Sequence, residues 1–281
     1  MRSRYRDLES VTKDLIRLYG VKVRKRLSQH FVVDYSLLDE ILQYVTELKP
    51  TKIVEVGTGL VILTAFLSSS SRYVVTVELD SSLAKAARDY LSKEACVDFV
   101  ETLVGDGVLL VRSALRDPDV IASNVPYSIT GPLINSIIKS NCRAAVLTIQ
   151  KEVAERLVAV PGSKPYSRLT VMVNTFMTVQ LGGVYPPTSF IPHPKVYSRV
   201  VVLRRLREWN RSWRAYEEFV RCLFNQKRKL AKKVLKSCLG EDLINKLNIE
   251  LGTLIEGKRV YQLPVETIIK IYSTLRDDYF K

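Results

Sequence analysis

The feature that most constrains the fold of this chain is an alternation of short β-rich runs with amphipathic stretches over residues 50–204. Such alternation is typical of a parallel sheet whose strands are joined by crossover helices. Strands are predicted at Lys52–Val56, Tyr73–Glu78, Asp98–Val104, Val120–Ser123, Ala144–Ile149, Val171–Val179 and Tyr197–Leu203. Helices are predicted at Ser36–Leu48, Ile62–Ser68, Ser81–Lys93, Pro132–Ser140 and Lys151–Val160. We therefore expect a doubly wound α/β sheet of seven strands that ends in an antiparallel pair.

After Leu203 the pattern becomes helical. Apolar residues recur at a spacing of three to four from Phe219 to Cys238, which predicts one amphipathic helix that Gly240 ends. A second helix is predicted at Pro264–Leu275. We expect three segments: a basic N-terminal stretch (1–28), an α/β domain (29–203) and a basic helical domain (204–281).

The net charge of +14 is concentrated at the two ends of the chain. Residues 1–28 hold 9 basic and 3 acidic side chains, residues 204–281 hold 18 and 10, and the residues between hold 16 of each. This distribution favours a nucleic-acid partner, because each phosphate neutralised by Lys or Arg releases condensed counterions. A solvated surface that only keeps the protein soluble would give the same composition. The candidate nucleic-acid-binding side chains are Arg24, Lys25, Arg26, Lys227, Arg228, Lys229, Lys232, Lys233 and Lys236.

The cysteines and histidines do not have the spacing of a metal site. Cys96, Cys142, Cys222 and Cys238 form no CxxC pair and the chain has two histidines, so no metal is expected. Single cysteines without a secretory signal predict buried, reduced thiols. No run approaches the roughly 18 apolar residues of a membrane helix. We expect a cytoplasmic monomer without membrane contact.

A strand, a glycine turn and a helix follow one another over Ile53–Thr64, with Gly57 and Gly59 in the turn. Glycines let the backbone approach a ligand closely, and the helix start leaves N–H groups free. A dinucleotide fingerprint would need a third glycine at the position of Ile62, so NAD is disfavoured. A GxG pair is also found in turns that bind nothing.

Two acidic residues strengthen the ligand interpretation. Glu78 ends the second strand, where a carboxylate can accept hydrogen bonds from both ribose hydroxyls of a nucleoside. Asp106 follows the third strand at the same edge of the predicted sheet. Acids in solvated loops produce the same pattern. The combination fits a nucleoside cofactor without a pyrophosphate, namely S-adenosylmethionine.

The most specific motif is Asn124-Val125-Pro126-Tyr127, directly after the fourth strand. Pro126 favours extended geometry for Val125 and turns its carbonyl outward beside the Asn124 side chain. Two acceptors then face one point, where they can hold both hydrogens of an exocyclic amine and favour its nucleophilic form. Tyr127 offers a ring for stacking an extruded base. An Asn-capped turn before Pro132 would account for the motif without any ligand.

Five segments carry a resemblance to a known family: Ser28–Asp34 (SQHFVVD), Asn124–Ile129 (NVPYSI), Pro161–Leu169 (PGSKPYSRL), Ser189–Val196 (SFIPHPKV) and Phe224–Lys229 (FNQKRK). They resemble the GQ[NH]FL-D, NLPYNIS, PGSK-YGRLS, FxPPPKV and F-RRK motifs of the ribosomal RNA adenine dimethyltransferases of the KsgA type. The motifs occur in the family's order over nearly the whole chain, and an archaeal or eukaryotic-like branch is one candidate for it.

The resemblance implies a Rossmann-like class I S-adenosylmethionine-dependent methyltransferase with a small C-terminal helical domain. It implies a cofactor site formed by His30, Val32, Gly57, Gly59, Glu78, Asp106 and Asn124. It also implies that Tyr127 stacks the target adenine and that Phe190 lines the other side. His30 has a second interpretation, as a general base; we prefer the binding role.

The expected activity is dimethylation of two adjacent adenines near the 3′ end of small-subunit rRNA, on a nearly assembled subunit. Two alternatives are a large-subunit rRNA methyltransferase of the antibiotic-resistance type and a largely non-catalytic ribosome assembly factor. Two positions depart from the family motifs. Val61 stands where a small residue is usual and is expected to narrow the cofactor pocket, and Ser167 replaces the glycine of YGRL near the substrate.

Overall fold

The computed structural model describes residues 7–24, 27–93, 99–112, 118–240 and 252–279, with side chains up to residue 274. The chain divides into two compact units. The first comprises Met1–Ala154 and Gln180–Arg205, and the second comprises Glu155–Val179 and Leu206–Lys281. Two expected boundaries differ: the basic N-terminal stretch belongs to the first unit, and residues 155–179 belong to the second.

The first unit contains most of the α/β structure. Its helices are α1 (Leu8–Leu18), α2 (Tyr35–Leu48), α3 (Ile62–Ser68), α4 (Ser81–Leu91), α5 (Gly107–Arg112), α6 (Thr130–Lys139) and the start of α7 (Lys151–Leu157). Its strands are β1 (Phe31–Val32), β2 (Lys52–Val56), β3 (Tyr73–Glu78), β4 (Val100–Val104), β5 (Val120–Asn124), β6 (Ala144–Gln150), most of β7 (Met177–Tyr185), β8 (Phe190–Ile191) and β9 (Ser198–Arg205).

Seven strands form one sheet in the order β4-β3-β2-β5-β6-β9-β7. The five strands from β4 to β6 are parallel, and β9 runs antiparallel to β6. The predicted seven-stranded doubly wound sheet is confirmed. Because β2, β3, β4 and β5 are parallel, their carboxyl ends meet at one edge, where ligands bind in such sheets.

The sheet forms here because its central strands are almost continuously apolar and buried on both faces. In β5, Val120, Ile121 and Ala122 are each fully buried, as expected for a strand between two layers of helices. Aspartates at the helix starts fix where the chain leaves the sheet: Asp34 caps α2 and Asp80 caps α4 through bonds from Ser36 and Ser82 N–H.

A separate pair of short strands joins two distant parts of the first unit. β1 and β8 pair antiparallel, with Phe31 opposite Ile191 and Val32 opposite Phe190. Val33 N–H extends the pairing by donating to the Ser189 carbonyl at 2.9 Å. The segment before α2 is therefore held against the loop after β7.

The second unit is helical and has an aromatic core. Besides the end of α7 it contains α8 (Arg168–Phe176), α9 (Arg214–Asn225), α10 (Ala231–Leu239) and α11 (Val265–Tyr279). The Trp213, Tyr216 and Tyr272 rings pack together with centroids 5.1–6.1 Å apart. Tyr216 is fully buried, and its hydroxyl lies 2.9 Å from Thr175 Oγ1.

The predicted strand at Val171–Val179 is wrong over most of its length. Residues up to Phe176 form α8, and strand β7 begins at Met177. The β-branched residues of this stretch mimic a buried strand, but Ser167 and Thr170 form a capping box that starts a helix. Val171, Val173 and Phe176 are fully buried, and the Phe176 ring packs on Trp213 and Tyr216.

The predicted single helix over Phe219–Cys238 is also wrong, because residues 226–230 break it into α9 and α10. In one helix Cys222 and Cys238 would lie about 24 Å apart at 1.5 Å per residue. The turn brings their Cα atoms to 6.1 Å, and the two residues form a disulfide. The expectation of reduced thiols fails for this pair. Cys142 is a buried thiol whose Sγ lies 3.1 Å from Ser140 Oγ, while Cys96 lies outside the described residues.

Candidate functional site

A cleft lies at the carboxyl edge of the sheet, between the glycine turn after β2 and the motif after β5. It encloses about 1090 Å³, part of which is open to solvent. The predicted site residues that line it are His30, Val32, Gly57, Gly59, Glu78, Asp106, Asn124, Val125, Pro126 and Tyr127. The structure thus brings together residues that are up to 97 positions apart in the sequence (30 to 127).

Gly57 and Gly59 both adopt positive φ, of 86° and 53°. A Cβ on Gly57 would lie 3.7 Å from the Pro126 ring, and one on Gly59 would lie 3.2 Å from the Phe31 ring. The backbone conformation favours glycine at both positions, and at Gly59 the tight approach to Phe31 also favours it. The absence of side chains keeps the wall of the cleft open.

Glu78 lies at the end of β3 and is almost fully buried. Its Oε2 accepts a hydrogen bond from Gly59 N–H at 3.0 Å, and Oε1 accepts one from Asp80 N–H at 2.9 Å. Burial raises the pKa of the Glu78 carboxyl, although these backbone donors oppose the shift. Because a carboxylate has about four lone-pair sites, Glu78 keeps acceptor capacity for ligand hydroxyls.

Asp106 lies beyond β4 at the same edge. Its Oδ1 accepts a hydrogen bond from Val108 N–H at 2.8 Å, which fixes the carboxylate at the start of α5. Two carboxylates thus line one end of the cleft, and both can accept hydrogen bonds from the hydroxyls or amine of a nucleoside.

Gln29 and Glu55 are two of the lining residues that the sequence-based site omitted. Gln29 is buried, its Oε1 accepts from Arg24 N–H at 2.8 Å, and its Nε2 has no hydrogen-bond partner among the described residues. Glu55 in β2 is fully buried, and Thr64 Oγ1 donates to its Oε2 at 2.6 Å. Burial raises the pKa of Glu55 to about 8. A polar residue inside the apolar run of β2 was the signal that marked Glu55.

Asn124 is oriented by the N-terminal segment. Its Nδ2 donates to the His30 carbonyl at 2.7 Å. This bond fixes the orientation of the amide, with Oδ1 on its other side as an acceptor for a ligand. Val125 N–H donates to the Thr148 carbonyl of β6 at 3.0 Å, which fixes the backbone that follows.

Tyr127, which also lines the cleft, is held by two neighbouring side chains. Its hydroxyl shares a hydrogen bond with Ser198 Oγ at 2.6 Å, and the His30 ring packs on it at a centroid distance of 5.4 Å. Burial raises the pKa of the Tyr127 phenol. His30 Nδ1 donates to the Pro192 carbonyl at 2.6 Å. This bond places the proton on Nδ1, since a carbonyl can only accept.

Phe190 does not lie where the sequence analysis placed it. It is about 1% exposed and packs in the core with Val32, Leu37 and Ile41, away from the lining of the cleft. The motif identifies the position of Phe190 in the sequence, but it does not show how deeply the phenylalanine ring is buried. In this structure a base stacked on Tyr127 does not meet Phe190.

Val61 does not narrow the cleft as expected. Its backbone is left-handed, with φ 61°, and its side chain is buried against Ala87 and Leu91 of α4 rather than among the lining residues. The left-handed conformation explains why a small residue is usual here. Ser167 adopts an extended conformation and caps α8 through Thr170, so the other departure is accommodated as a helix start.

The basic candidates that the structure describes form two groups: those whose side chains make contacts within the protein and those whose side chains are exposed. Arg24 forms an ion pair with the buried Asp80 at 3.1 Å, while Lys25 and Arg26 lie outside the described residues. Lys227 donates to the Lys164 and Tyr166 carbonyls at 3.0 and 2.8 Å, and burial lowers its pKa. The remaining basic candidates are exposed: Arg228, Lys229, Lys232, Lys233 and Lys236.

The sequence model of the family "Ribosomal RNA adenine dimethylase" matches residues 20–277. The chain belongs to this family. Its membership confirms the expected family, S-adenosylmethionine as the cofactor and the class of enzyme, an rRNA adenine dimethyltransferase.

Relatives of this family member align over almost their full length. The "Probable ribosomal RNA small subunit methyltransferase A" of Pyrobaculum islandicum is 38% identical, with 89% of this chain and 94% of the relative aligned. The "Ribosomal RNA small subunit methyltransferase A" of Thermotoga petrophila is 35% identical, with 94% and 96% aligned. A dimethyladenosine transferase from Plasmodium falciparum is similar in structure, with a TM-score of 0.74, 26% identity, and 90% and 100% coverage.

No helix in the described part of the chain has the length and apolarity needed to cross a bilayer. Within the same residues, no group of three or more His, Cys, Asp or Glu side chains is placed to hold a metal ion.

Proposed function

We propose that this protein transfers methyl groups from S-adenosylmethionine to the N6 amines of two adjacent adenines near the 3′ end of small-subunit rRNA during ribosome assembly. The observation that carries this proposal is the fixed orientation of Asn124 at the end of β5, with its amide nitrogen bonded to the His30 carbonyl. The names of the curated relatives support the small subunit as the substrate.

The residues of the cleft fit the cofactor. S-adenosylmethionine supplies an electrophilic methyl group on a sulfonium. Glu78 and Asp106 provide acceptors for a nucleoside, and the unpartnered Nε2 of Gln29 provides a buried donor for a carboxylate. A buried donor without a partner costs about 1–3 kcal/mol, so its presence in the cleft favours a ligand that accepts its hydrogen bond.

Asn124 Oδ1 and the Val125 carbonyl are the acceptors for the target amine. Holding the N–H groups, two in adenine and one after the first transfer, would turn the nitrogen lone pair out of conjugation with the ring, so that it could attack the sulfonium methyl and displace the thioether. Little acid–base chemistry is needed, because the proton is lost readily once the nitrogen is alkylated. We expect positioning and exclusion of water to supply most of the rate enhancement.

Tyr127 offers a stacking surface for the extruded adenine. The hydrogen bond to Ser198 fixes the Tyr127 hydroxyl, and the His30 ring packs against the Tyr127 ring. Base stacking on an aromatic ring contributes about 1–3 kcal/mol. This offsets part of the cost of removing the base from its neighbours.

We infer that the second unit binds the phosphates of the RNA. Three of its segments converge through backbone bonds: Tyr261 N–H donates to the Lys227 carbonyl, Gly162 N–H donates to the Tyr261 carbonyl, and Ala231 N–H donates to the Lys258 carbonyl. These segments carry Lys164, Arg228, Lys229, Lys258 and Arg259. A set of cations on a braced backbone is suited to binding RNA phosphates.

We further infer that the protein acts as a monomer in the cytoplasm, where pre-ribosomal small subunits are its partner.

The proposed function is tested with labelled S-adenosylmethionine and small subunits that lack the modification. Wild type should incorporate label into adenines of the 3′ region, Asn124→Ala should be about 10²–10³-fold slower, and Asn135→Ala on α6 should match wild type. No incorporation by wild type, or equal rates for wild type and Asn124→Ala, would contradict the proposal. Incorporation into large-subunit RNA alone would replace the substrate.

A further inference from the structure

Residues 193–197 form an exposed segment beside the cleft, which we call the 193–197 arch. On one side of it, the Pro192 carbonyl accepts from His30 Nδ1 at 2.6 Å. On the other side, Ser198 Oγ shares its bond with the Tyr127 hydroxyl at 2.6 Å. The arch thus connects two residues that line the cleft.

The backbone of the arch is braced, while most of its side chains face solvent. Tyr197 O accepts from Lys151 N–H at 2.9 Å, and His193 Nδ1 donates to the Phe190 carbonyl at 2.6 Å. Pro194 is buried, whereas Lys195 is exposed and Tyr197 is 53% exposed. A tyrosine that is half exposed on a fixed backbone is suited to a partner that stacks on it.

The position of Tyr197 determines which part of a substrate it can reach. Its Cα is about 3.8 Å from that of Ser198, whose side chain contacts the stacking residue Tyr127. When one base is extruded into the cleft, its neighbour loses a stacking partner on one side. The backbone of Tyr197 thus lies one residue from the side chain that holds Tyr127, which places Tyr197 close enough for a nucleotide next to the extruded base to be its partner.

We propose that the 193–197 arch binds the RNA nucleotide that neighbours the target adenine, with Tyr197 stacking on its base and Lys195 contacting its phosphate. Aromatic rings beside a cation are the chemistry by which proteins bind single-stranded nucleic acid. His193 adds an acceptor: with the proton on Nδ1, its Nε2 can accept from a ribose 2′-hydroxyl. Lys151 N–H donates to the Tyr197 carbonyl, and Glu152, the next residue after Lys151, is the acidic residue nearest in sequence to that hydrogen bond.

This inference rests on the proposed function and makes it more specific. If two adjacent adenines are methylated in turn, the nucleotide on Tyr197 is the adenine that waits while the first is in the cleft. The 193–197 arch would then hold the second adenine of the RNA in an ordered position next to the cleft.

Steady-state kinetics on small subunits lacking the modification test the arch. Tyr197→Ala should raise KM for the subunits about 5–100-fold, the range expected for one lost stacking contact, and should leave the Kd for S-adenosylmethionine within twofold of wild type. Tyr197→Phe should retain the wild-type KM, because the ring remains. Phe99→Ala removes another exposed aromatic, 62% exposed and directly before β4, as a matched control.

The outcomes separate the two proposals. Methylation by wild type with an unchanged KM in Tyr197→Ala would overturn the arch and leave the proposed function standing. A wild type that methylates no RNA would overturn the proposed function, and the arch with it. If Tyr197→Ala also loses cofactor affinity, the residue is structural and the proposed stacking is wrong.

Discussion

The most quantitative prediction concerns the basic surface of the second unit. Arg228, Lys232 and Lys233 are exposed, and Lys232 and Lys233 lie on the solvent side of α10 because Ala231, Val234 and Leu235 face the core. If each neutralises one phosphate, the slope of log K against log salt should fall in magnitude by about 0.7–0.9 per residue removed. The triple variant with glutamine at the three positions should therefore lower the slope by about 2–3.

Lys227 should behave differently although it belongs to the same run of cations. Its Nζ donates to the Lys164 and Tyr166 carbonyls. Lys227→Gln should thus change the salt slope by less than about 1, the change expected for one phosphate contact, and should destabilise the fold by about 1–3 kcal/mol, because two carbonyls lose a charged donor.

The assay is fluorescence anisotropy with small subunits or a labelled RNA fragment at several salt concentrations. The matched control removes the same charge from exposed positions of the first unit, with glutamine at Lys49, Arg72 and Lys85. An equal loss of slope in this control would show that net charge, not the surface of the second unit, determines binding. An unchanged slope in the triple variant would refute the phosphate contacts. The cofactor Kd should be unchanged throughout.

Three further predictions concern stability. Val61→Gly should relieve about 1–2 kcal/mol of left-handed backbone strain. It should also lose about 1.5–3 kcal/mol of hydrophobic stabilisation and raise the backbone entropy of the unfolded chain. Chemical denaturation should therefore show a modest net loss of stability, and the cofactor affinity should be unchanged. Glu55 should make the free energy of unfolding fall as the pH rises from about 4.5 to about 8, since the folded protein retains a proton that the unfolded chain releases; Glu55→Gln should flatten this dependence in denaturation curves at several pH values. The Cys222–Cys238 disulfide joins residues 16 positions apart in the sequence, and its reduction should lower the stability of the second unit by about 3 kcal/mol. Thermal unfolding with and without reductant measures this change. A Cys222→Ser variant should show no response to reductant.

The sequence predicts well which residues converge on one side of the cleft, because this convergence depends on local patterns. Gly57, Glu78, Asp106 and Asn124 each follow an apolar run of strand length, and parallel strands place their carboxyl ends at one edge. Once the alternation indicates a parallel sheet, the convergence of these residues follows from topology alone.

Other parts of the structure depend on contacts that no local pattern records. The free amide nitrogen of Gln29 is apparent only when Arg24 is seen to occupy its oxygen. The burial of Phe190 follows from the pairing of β1 with β8. The meeting of Cys222 with Cys238 follows from a turn that the helical periodicity on both sides conceals.

His30 gives the clearest reason why cofactor binding and amine recognition should depend on one another. Its carbonyl orients Asn124, its ring packs on Tyr127, and its Nδ1 holds the Pro192 carbonyl next to the 193–197 arch. The same segment contributes Gln29 and Val32 to the lining of the cleft. A ligand that orders this segment therefore also fixes the acceptor for the target amine. Because such coupling is reciprocal, bound cofactor should strengthen RNA binding by the same factor by which RNA strengthens cofactor binding.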